Sequence, residues 1–239
     1  DGLLVLLDTG AVHGCGYNHH DQLGTGINVS QGKLTPMTAA GGYDGTNAVA
    51  ISCGHLNSLV LLNTGKLLTC GHYNNGSSGT NRPTGEISNL NVLTPMTVDG
   101  GYDGTNAVAI STGNYFNLVL LNTGMVVVCG LNNQRQLGIG NDIDKPTLTP
   151  MTVSGGYDGT NAVAISCGYN HSLVLLNTGM VVGCGSNLDS QLGIGNTGAQ
   201  DKLTPMTVSG GYDGTNAVAI FASNSSSVYR SFVLLNTGK

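Results

Sequence analysis

The chain has 239 residues and a formal net charge of −5, with eight Lys and Arg, 38 Gly and only 9% charged residues. Eight scattered basic side chains make no patch that neutralises a run of phosphates, which excludes nucleic acid as a partner. No apolar run approaches the roughly 20 residues a membrane-spanning helix needs, so membrane insertion of that kind is excluded too.

In chain order, the first element is Val5-Leu-Leu-Asp-Thr-Gly10, which returns with Asn for Asp from Val60, Val119, Val174 and Val233. A second anchor, Leu-Thr-Pro-Met-Thr, follows each of the first four, with its proline at Pro36, Pro95, Pro150 and Pro205. The first anchor steps by 55, 59, 55 and 59 residues and the second by 59, 55 and 55. A basic period of 55 therefore carries two separate four-residue insertions, one between Cys70 and Pro95 and one between Ile220 and Val233. Insertions of this kind mark loops on a constant frame.

Within one period, Asn161-Ala-Val-Ala-Ile-Ser166 is a short apolar segment and Ser172-Leu-Val-Leu-Leu176 a second. Asn177-Thr-Gly179 is a turn and Met180-Val-Val-Gly-Cys184 a third segment. Runs of four to six residues with β-branched side chains, punctuated by Gly and Asn, are strands and not helices. The Asn-Thr-Gly turn predicts a hairpin, because Asn and Gly tolerate the positive φ of tight turns. Three or four antiparallel strands per repeat make a sheet too small to bury both faces alone, so the repeats must stack. The expectation is an all-β chain, a β-propeller of ~55-residue four-stranded blades. Residues 1–239 are read as a single propeller-type repeat domain with units of about 5–59, 60–118, 119–173 and 174–232, and 233–239 opening a further unit.

The stretch from Ala164 to Gly195 carries, in order, Cys167-Gly168, His171-Ser172, an apolar strand, a Gly turn, Cys184-Gly185, Asn187 and Gln191-Leu-Gly-Ile-Gly195. This resembles the repeat of the regulator of chromosome condensation family, with Cys184 where that repeat has Trp. Gln22-Leu-Gly-Thr-Gly26 and Gln136-Leu-Gly-Ile-Gly140 are further copies, and the second repeat has degenerated to Ser77-Ser-Gly-Thr80. The family His is retained as His171, and Asn57 and Asn117 are read in its place elsewhere. The resemblance implies a seven-blade ring, so the four repeats are expected to be a window on a longer array. Assembly of copies, or closure of a smaller ring by pairing the terminal strands, are the alternatives. The family's founding activity is nucleotide exchange on the Ran GTPase through a wedge and an acidic surface, neither of which has a counterpart in this sequence.

The six cysteines follow the repeat: Cys15, Cys70, Cys129 and Cys184 share one position, Cys53 and Cys167 another. No Cys-x-x-Cys pair supports zinc, and small buried apolar cysteines are the expectation. Pairing of Cys53 with Cys70 and of Cys167 with Cys184 stays open, although Thr112 replaces the partner of Cys129. No cofactor is implied, and no catalytic motif occurs.

Gly-Gly-Tyr-Asp-Gly-Thr-Asn recurs unchanged four times and sets Tyr43 with Asp44, Tyr102 with Asp103, Tyr157 with Asp158 and Tyr212 with Asp213 at repeated turns. It is read as a Tyr-anchored turn copied by duplication, against a multivalent ligand or calcium site. The segments that differ between copies are 17–34, 72–92, 131–147 and 186–202, together with 55–58, 114–117, 169–172 and 221–232. Candidate binding-loop residues within or beside them are Tyr17, His19, His20, His72, Tyr73, Asn132, Arg135, Asn187 and Asp189. Varied loops on a rigid frame suit recognition of another macromolecule. The expected function is a non-catalytic protein-binding or structural scaffold, not an enzyme, with a protein partner or self-assembly. The alternative is a regulatory propeller acting as an exchange factor or enzyme inhibitor. The Asn-, Thr- and Gly-rich surface also suits an extracellular or particle-associated component.

Overall fold

The computed structural model describes residues 2–81 and 89–237. They form seventeen strands in five antiparallel sheets. The first sheet holds β1 (Gly2–Leu6), β2 (Val12–Gly16) and β3 (Gln31–Pro36). Three complete four-stranded sheets follow. They are β4 (Ala48–Cys53), β5 (Asn57–Leu62), β6 (Leu67–Gly71) and β7 (Leu90–Pro95); β8 (Ala107–Thr112), β9 (Phe116–Leu121), β10 (Val126–Gly130) and β11 (Lys145–Pro150); and β12 (Ala162–Cys167), β13 (His171–Leu176), β14 (Val181–Gly185) and β15 (Gln200–Pro205). The last sheet pairs β16 (Ala217–Ala222) with β17 (Ser231–Leu235). Each sheet runs in sequence order, and the first strands β4, β8, β12 and β16 lie side by side in succession. The strands β1 and β17 sit in different sheets and do not pair with each other, so the terminal strands do not close a smaller ring.

The second and third strands of each complete sheet are buried along their whole length, because a blade is covered on both faces by its neighbours. In β9, Leu118 and Leu120 join the cluster containing Val174 and Leu176, while Val119 and Leu121 join that containing Leu59 and Leu61. Alternate side chains thus serve opposite blade interfaces, and both sets must be apolar. That is why these strands read as unbroken hydrophobic runs and not as alternating ones. The fourth strand, not assigned on its own in the sequence, ends in the Leu-Thr-Pro anchor. Proline lacks a donor and is tolerated on this outer edge.

One open question is closed and one expectation is corrected. Cys53 and Cys70 lie on either side of Ser58 in the ladder, and Cys167 and Cys184 on either side of Ser172. Two strand spacings, roughly 10 Å, separate each pair, which is beyond disulfide reach. All six cysteines are free. Burial pushes the Cys129 and Cys167 thiols up to about 12, so they act as inert packing groups. The place of His171 is also held differently: Phe116, not Asn117, is its counterpart. Asn57, Phe116 and His171 pair with Gly71, Gly130 and Gly185 and lie under Gly54, Gly113 and Gly168. Asn117 instead takes the place of Ser58 and Ser172.

Candidate binding face

Strand direction sorts the connections onto two faces. The Asn-Thr-Gly hairpins and the Tyr-Asp-Gly-Thr-Asn turns share one face. The loops between first and second strands, and between third and fourth, share the other.

On the turn face the Asp, Thr and Asn side chains of the heptapeptide bond to one another and to its backbone. The Asp158 carboxylate accepts from the Thr160 amide at 2.7 Å and its hydroxyl at 2.9 Å, while Asn161 Oδ1 accepts from the Asp158 amide and Asn161 Nδ2 donates to the Gly156 carbonyl. The same bonds recur at Asp44, Asp103 and Asp213. Hydrogen bonding from the Thr backbone leads the causes that hold all four carboxyls below the ordinary range. The tyrosine hydroxyl clasps the preceding sheet: Tyr43, Tyr102, Tyr157 and Tyr212 accept the amide protons of Val12, Leu67, Val126 and Val181 at 2.7–2.8 Å. The hairpin glycines Gly10, Gly65, Gly124 and Gly179 have φ of 79–80°, and a Cβ on any of them would overlap the Thr carbonyl of the next turn. The Tyr hydroxyls at these turns therefore join blade to blade, while the Asp carboxylates fold their own turn.

The loop face is different. A succession of rings crosses it: Tyr17 to His20 at 5.9 Å, His20 to His72 at 5.4 Å, His72 to Tyr115 at 5.7 Å, Tyr115 to His55 at 5.6 Å, His55 to Tyr169 at 6.4 Å and Tyr169 to Tyr229 at 6.0 Å. His19 stands edge-on to Tyr17, and Tyr73 lies beside His72. These rings come from all five sheets. Between them lie a cleft of about 270 Å³ bounded by Tyr17, His20, His55 and Leu56, and a polar one of about 440 Å³ that includes His55, Tyr169, Asn224, Ser225 and Ser226. Burial, followed by the neighbouring His20 and His55, holds the His72 imidazole below its ordinary value, so it is neutral at pH 7. Among the described residues, no group of three or more His, Cys, Asp or Glu is placed to hold a metal.

The sequence-derived candidates divide here. Tyr17, His19, His20, His72 and Tyr73 converge on this band. Asn132 and Asn187 are fully buried, and their amides organise their own loops: each Oδ1 accepts the amide of Leu137 or Leu192 at 2.9 Å, and each Nδ2 donates to the carbonyl of Asn141 or Asn196. Arg135 occupies a left-handed turn position, φ 64°, shared with Asp21 and Ser190, and its side chain is exposed, as is that of Asp189. His55, Tyr115, Tyr169 and Tyr229 were not singled out, although each lies within a segment that differs between copies or at its edge. Residues 82–88 of the variable segment 72–92 lie outside the described residues.

Models of the regulator of chromosome condensation repeat match residues 9–61 and 123–175, and a second model of the same repeat matches 107–136 and 162–191. The chain belongs to this family. It is 30% identical over 160 residues to protein pim1 of Schizosaccharomyces pombe, covering 66% of this chain and 28% of that one. It is 30% identical over 152 residues to the X-linked retinitis pigmentosa GTPase regulator homolog of Caenorhabditis elegans, covering 64% and 10%. The secretion-regulating guanine nucleotide exchange factor of Bos taurus is 33% identical over 85 residues, 36% of this chain and 18% of that one. The chain thus spans well under a third of the length of each of these relatives. Among solved structures, human WBSCR16 superposes with a TM-score of 0.81 at 21% identity, over 99% of this chain and 56% of that one. Prp20p of Saccharomyces cerevisiae, described with its binding to Gsp1p and histones, superposes at 0.80 with 16% identity, over 98% and 53%. These likenesses fix the propeller fold. The loop of the preceding blade closes on the cysteine that stands in place of the repeat Trp. A Cβ on Gly138 would stand 2.8 Å from Cys184 Sγ, and one on Gly24 3.0 Å from Cys70 Sγ.

Proposed function

We propose that the chain is a non-catalytic protein-binding scaffold that takes its partner on the loop face, through the ring band from Tyr17 to Tyr229. The observation that carries this reading is the contrast in commitment. The turn-face tyrosine hydroxyls are engaged between blades and the aspartates within their own turns, whereas the loop-face rings meet one another from five sheets and leave clefts between them. Tyr and His on rigidly held loops supply large amphipathic contact area at small entropic cost. Residues 1–239 act in this reading as one propeller-type repeat domain. Further repeats continue the array, which would cover the apolar side chains Phe221, Phe232 and Leu234 that the two-stranded sheet leaves more than half exposed.

A second reading, a regulatory propeller acting on a GTPase, is favoured by the names of the relatives, a GTPase regulator homolog and a guanine nucleotide exchange factor. The two separate in one experiment. Nucleotide release from a panel of small GTPases is measured with wild type and with Tyr169→Ala, alongside affinity capture of binding proteins by both. The scaffold reading expects partners lost with Tyr169→Ala and no acceleration of release. Acceleration of release by the wild type overturns it in favour of the second.

A further inference from the structure

We propose that the His72 imidazole is a proton-operated latch on the loop face: uncharged, it joins the two halves of the ring band, and protonated, it swings out and releases a partner held there. This rests on the reading of the loop face as a protein-binding surface and adds how that surface is regulated.

Three observations carry it. The first is position. The His72 ring stands between two groups of rings, 5.4 Å from His20, which continues to Tyr17, and 5.7 Å from Tyr115, which continues to His55, Tyr169 and Tyr229. Its backbone is fixed. The His72 amide donates to the Leu56 carbonyl at 2.8 Å, and the His72 carbonyl accepts the Ser77 hydroxyl at 2.9 Å. The side chain can therefore leave its neighbours while the loops stay in place.

The second is the surroundings of the ring nitrogens. His72 Nδ1 is buried and has no hydrogen-bond partner among the described residues. A neutral imidazole leaves one nitrogen as a bare acceptor, whereas an imidazolium carries a proton on both. Protonation in place sets a charged donor in a buried position with no acceptor, which costs more than leaving a neutral group unpaired.

The third is the charge that faces the ring. The β2–β3 loop presents His20, next to the buried Asp21, and the β4–β5 loop presents His55. The β8–β9 loop presents Tyr115, and Tyr73 lies beside the ring on its own loop. Burial, and then the charged forms of His20 and His55, hold His72 uncharged, and no carboxylate is among the groups acting on it. The packed ring keeps its proton less well than the same ring in solvent. Its contacts are therefore complete above about pH 6.5 and are lost as the pH falls through the depressed His72 midpoint.

The test is an NMR titration of the six histidine rings of the full chain, assigned through His72→Gln. Peptides selected from a random phage library at pH 7.5 serve as the binding probe. Those whose binding needs Tyr169 are measured at pH 7.5 and at about one unit below the His72 midpoint. The proposal expects nuclear Overhauser contacts of the His72 ring with His20 and Tyr115 at pH 7.5 and their loss below the midpoint. It expects wild-type affinity to fall by about tenfold or more between the two pH values, and by about twofold or less in His72→Gln, whatever that variant's affinity at pH 7.5. Should His72→Gln fail to fold or to bind, the wild-type ring contacts decide alone. An equal acid release from both chains, which both keep His171, overturns the latch and leaves the scaffold reading standing. So do ring contacts that persist once His72 is protonated, or a wild-type affinity that does not change with pH. If no selected peptide needs Tyr169, the latch and the scaffold reading fall together.

Discussion

The two faces of this propeller are built from the same repeat and have opposite economies of contact. On the turn face, four copies of one heptapeptide fold on themselves through Asp, Thr and Asn and tie blade to blade through the tyrosine hydroxyl that takes a neighbouring amide. On the loop face the copies diverge, and all six non-glycine residues with positive φ among the described residues are found there. Sequence identity between repeats thus marks the groups that hold the ring together. Divergence marks where backbone strain and uncommitted rings are kept.

If that division is right, the largest losses of stability come from the turn face. Gly124→Val puts a side chain at φ 80° into the Thr160 carbonyl and is expected to cost about 3 kcal/mol or more, read as a fall in the urea midpoint. A comparable effect comes from the loop-face edge of the core. His171 is fully buried, its Nε2 is 3.0 Å from Ser231 Oγ, and burial depresses its imidazole to about 4. The folded form therefore gains its proton later than the unfolded chain does. Stability is full above pH 6.5 and declines as pH falls from 6.5 towards 4, by about 3 kcal/mol in total. His171→Phe, which copies the residue already present as Phe116, removes that part of the slope in urea melts across this range.

Tyr157→Phe is expected to cost about 1–3 kcal/mol, because it strands the buried Val126 amide, and calorimetry should show it without any change in partner capture. Tyr115→Gly sharpens the comparison from the other side. Relief of the left-handed strain leaves stability equal or raised by up to about 1 kcal/mol, while binding on the loop face is lost. A fall in both would place Tyr115 with the structural residues.

Much of this was legible in the sequence. Strands, hairpins and the 55-residue period follow from short apolar runs and the Asn-Thr-Gly turn, because those signals are local. The turn around Tyr157 and Asp158 is a local pattern, but the partner of the Tyr157 hydroxyl, the Val126 amide 31 residues earlier, is a product of blade stacking that no local pattern encodes. The same holds for the ring band. His19, His20 and His72 stood out because they cluster along the chain, but His55, Tyr115, Tyr169 and Tyr229 are single residues in separate loops that only the radial arrangement brings together. Asn132 and Asn187 drew notice as polar loop residues, yet their position relative to Leu137 and Leu192 is what uses up their amides. The offset between Phe116 and Asn117 shows how a strand register, with its period of two, is easily misread by one residue without the ladder.

The central claim is that partner recognition resides on the loop face and blade cohesion on the turn face. It is tested most directly by quantitative capture of the same binding proteins with three folded chains: wild type, Tyr115→Gly with Tyr169→Ala, and Val108→Ser with Val163→Ser. The two valines are half-exposed bulge residues at the turn-face end of the inner strands. The account predicts that the ring variant loses its partners by tenfold or more and the valine variant keeps them. Retention by the ring variant with loss from the valine variant would contradict it.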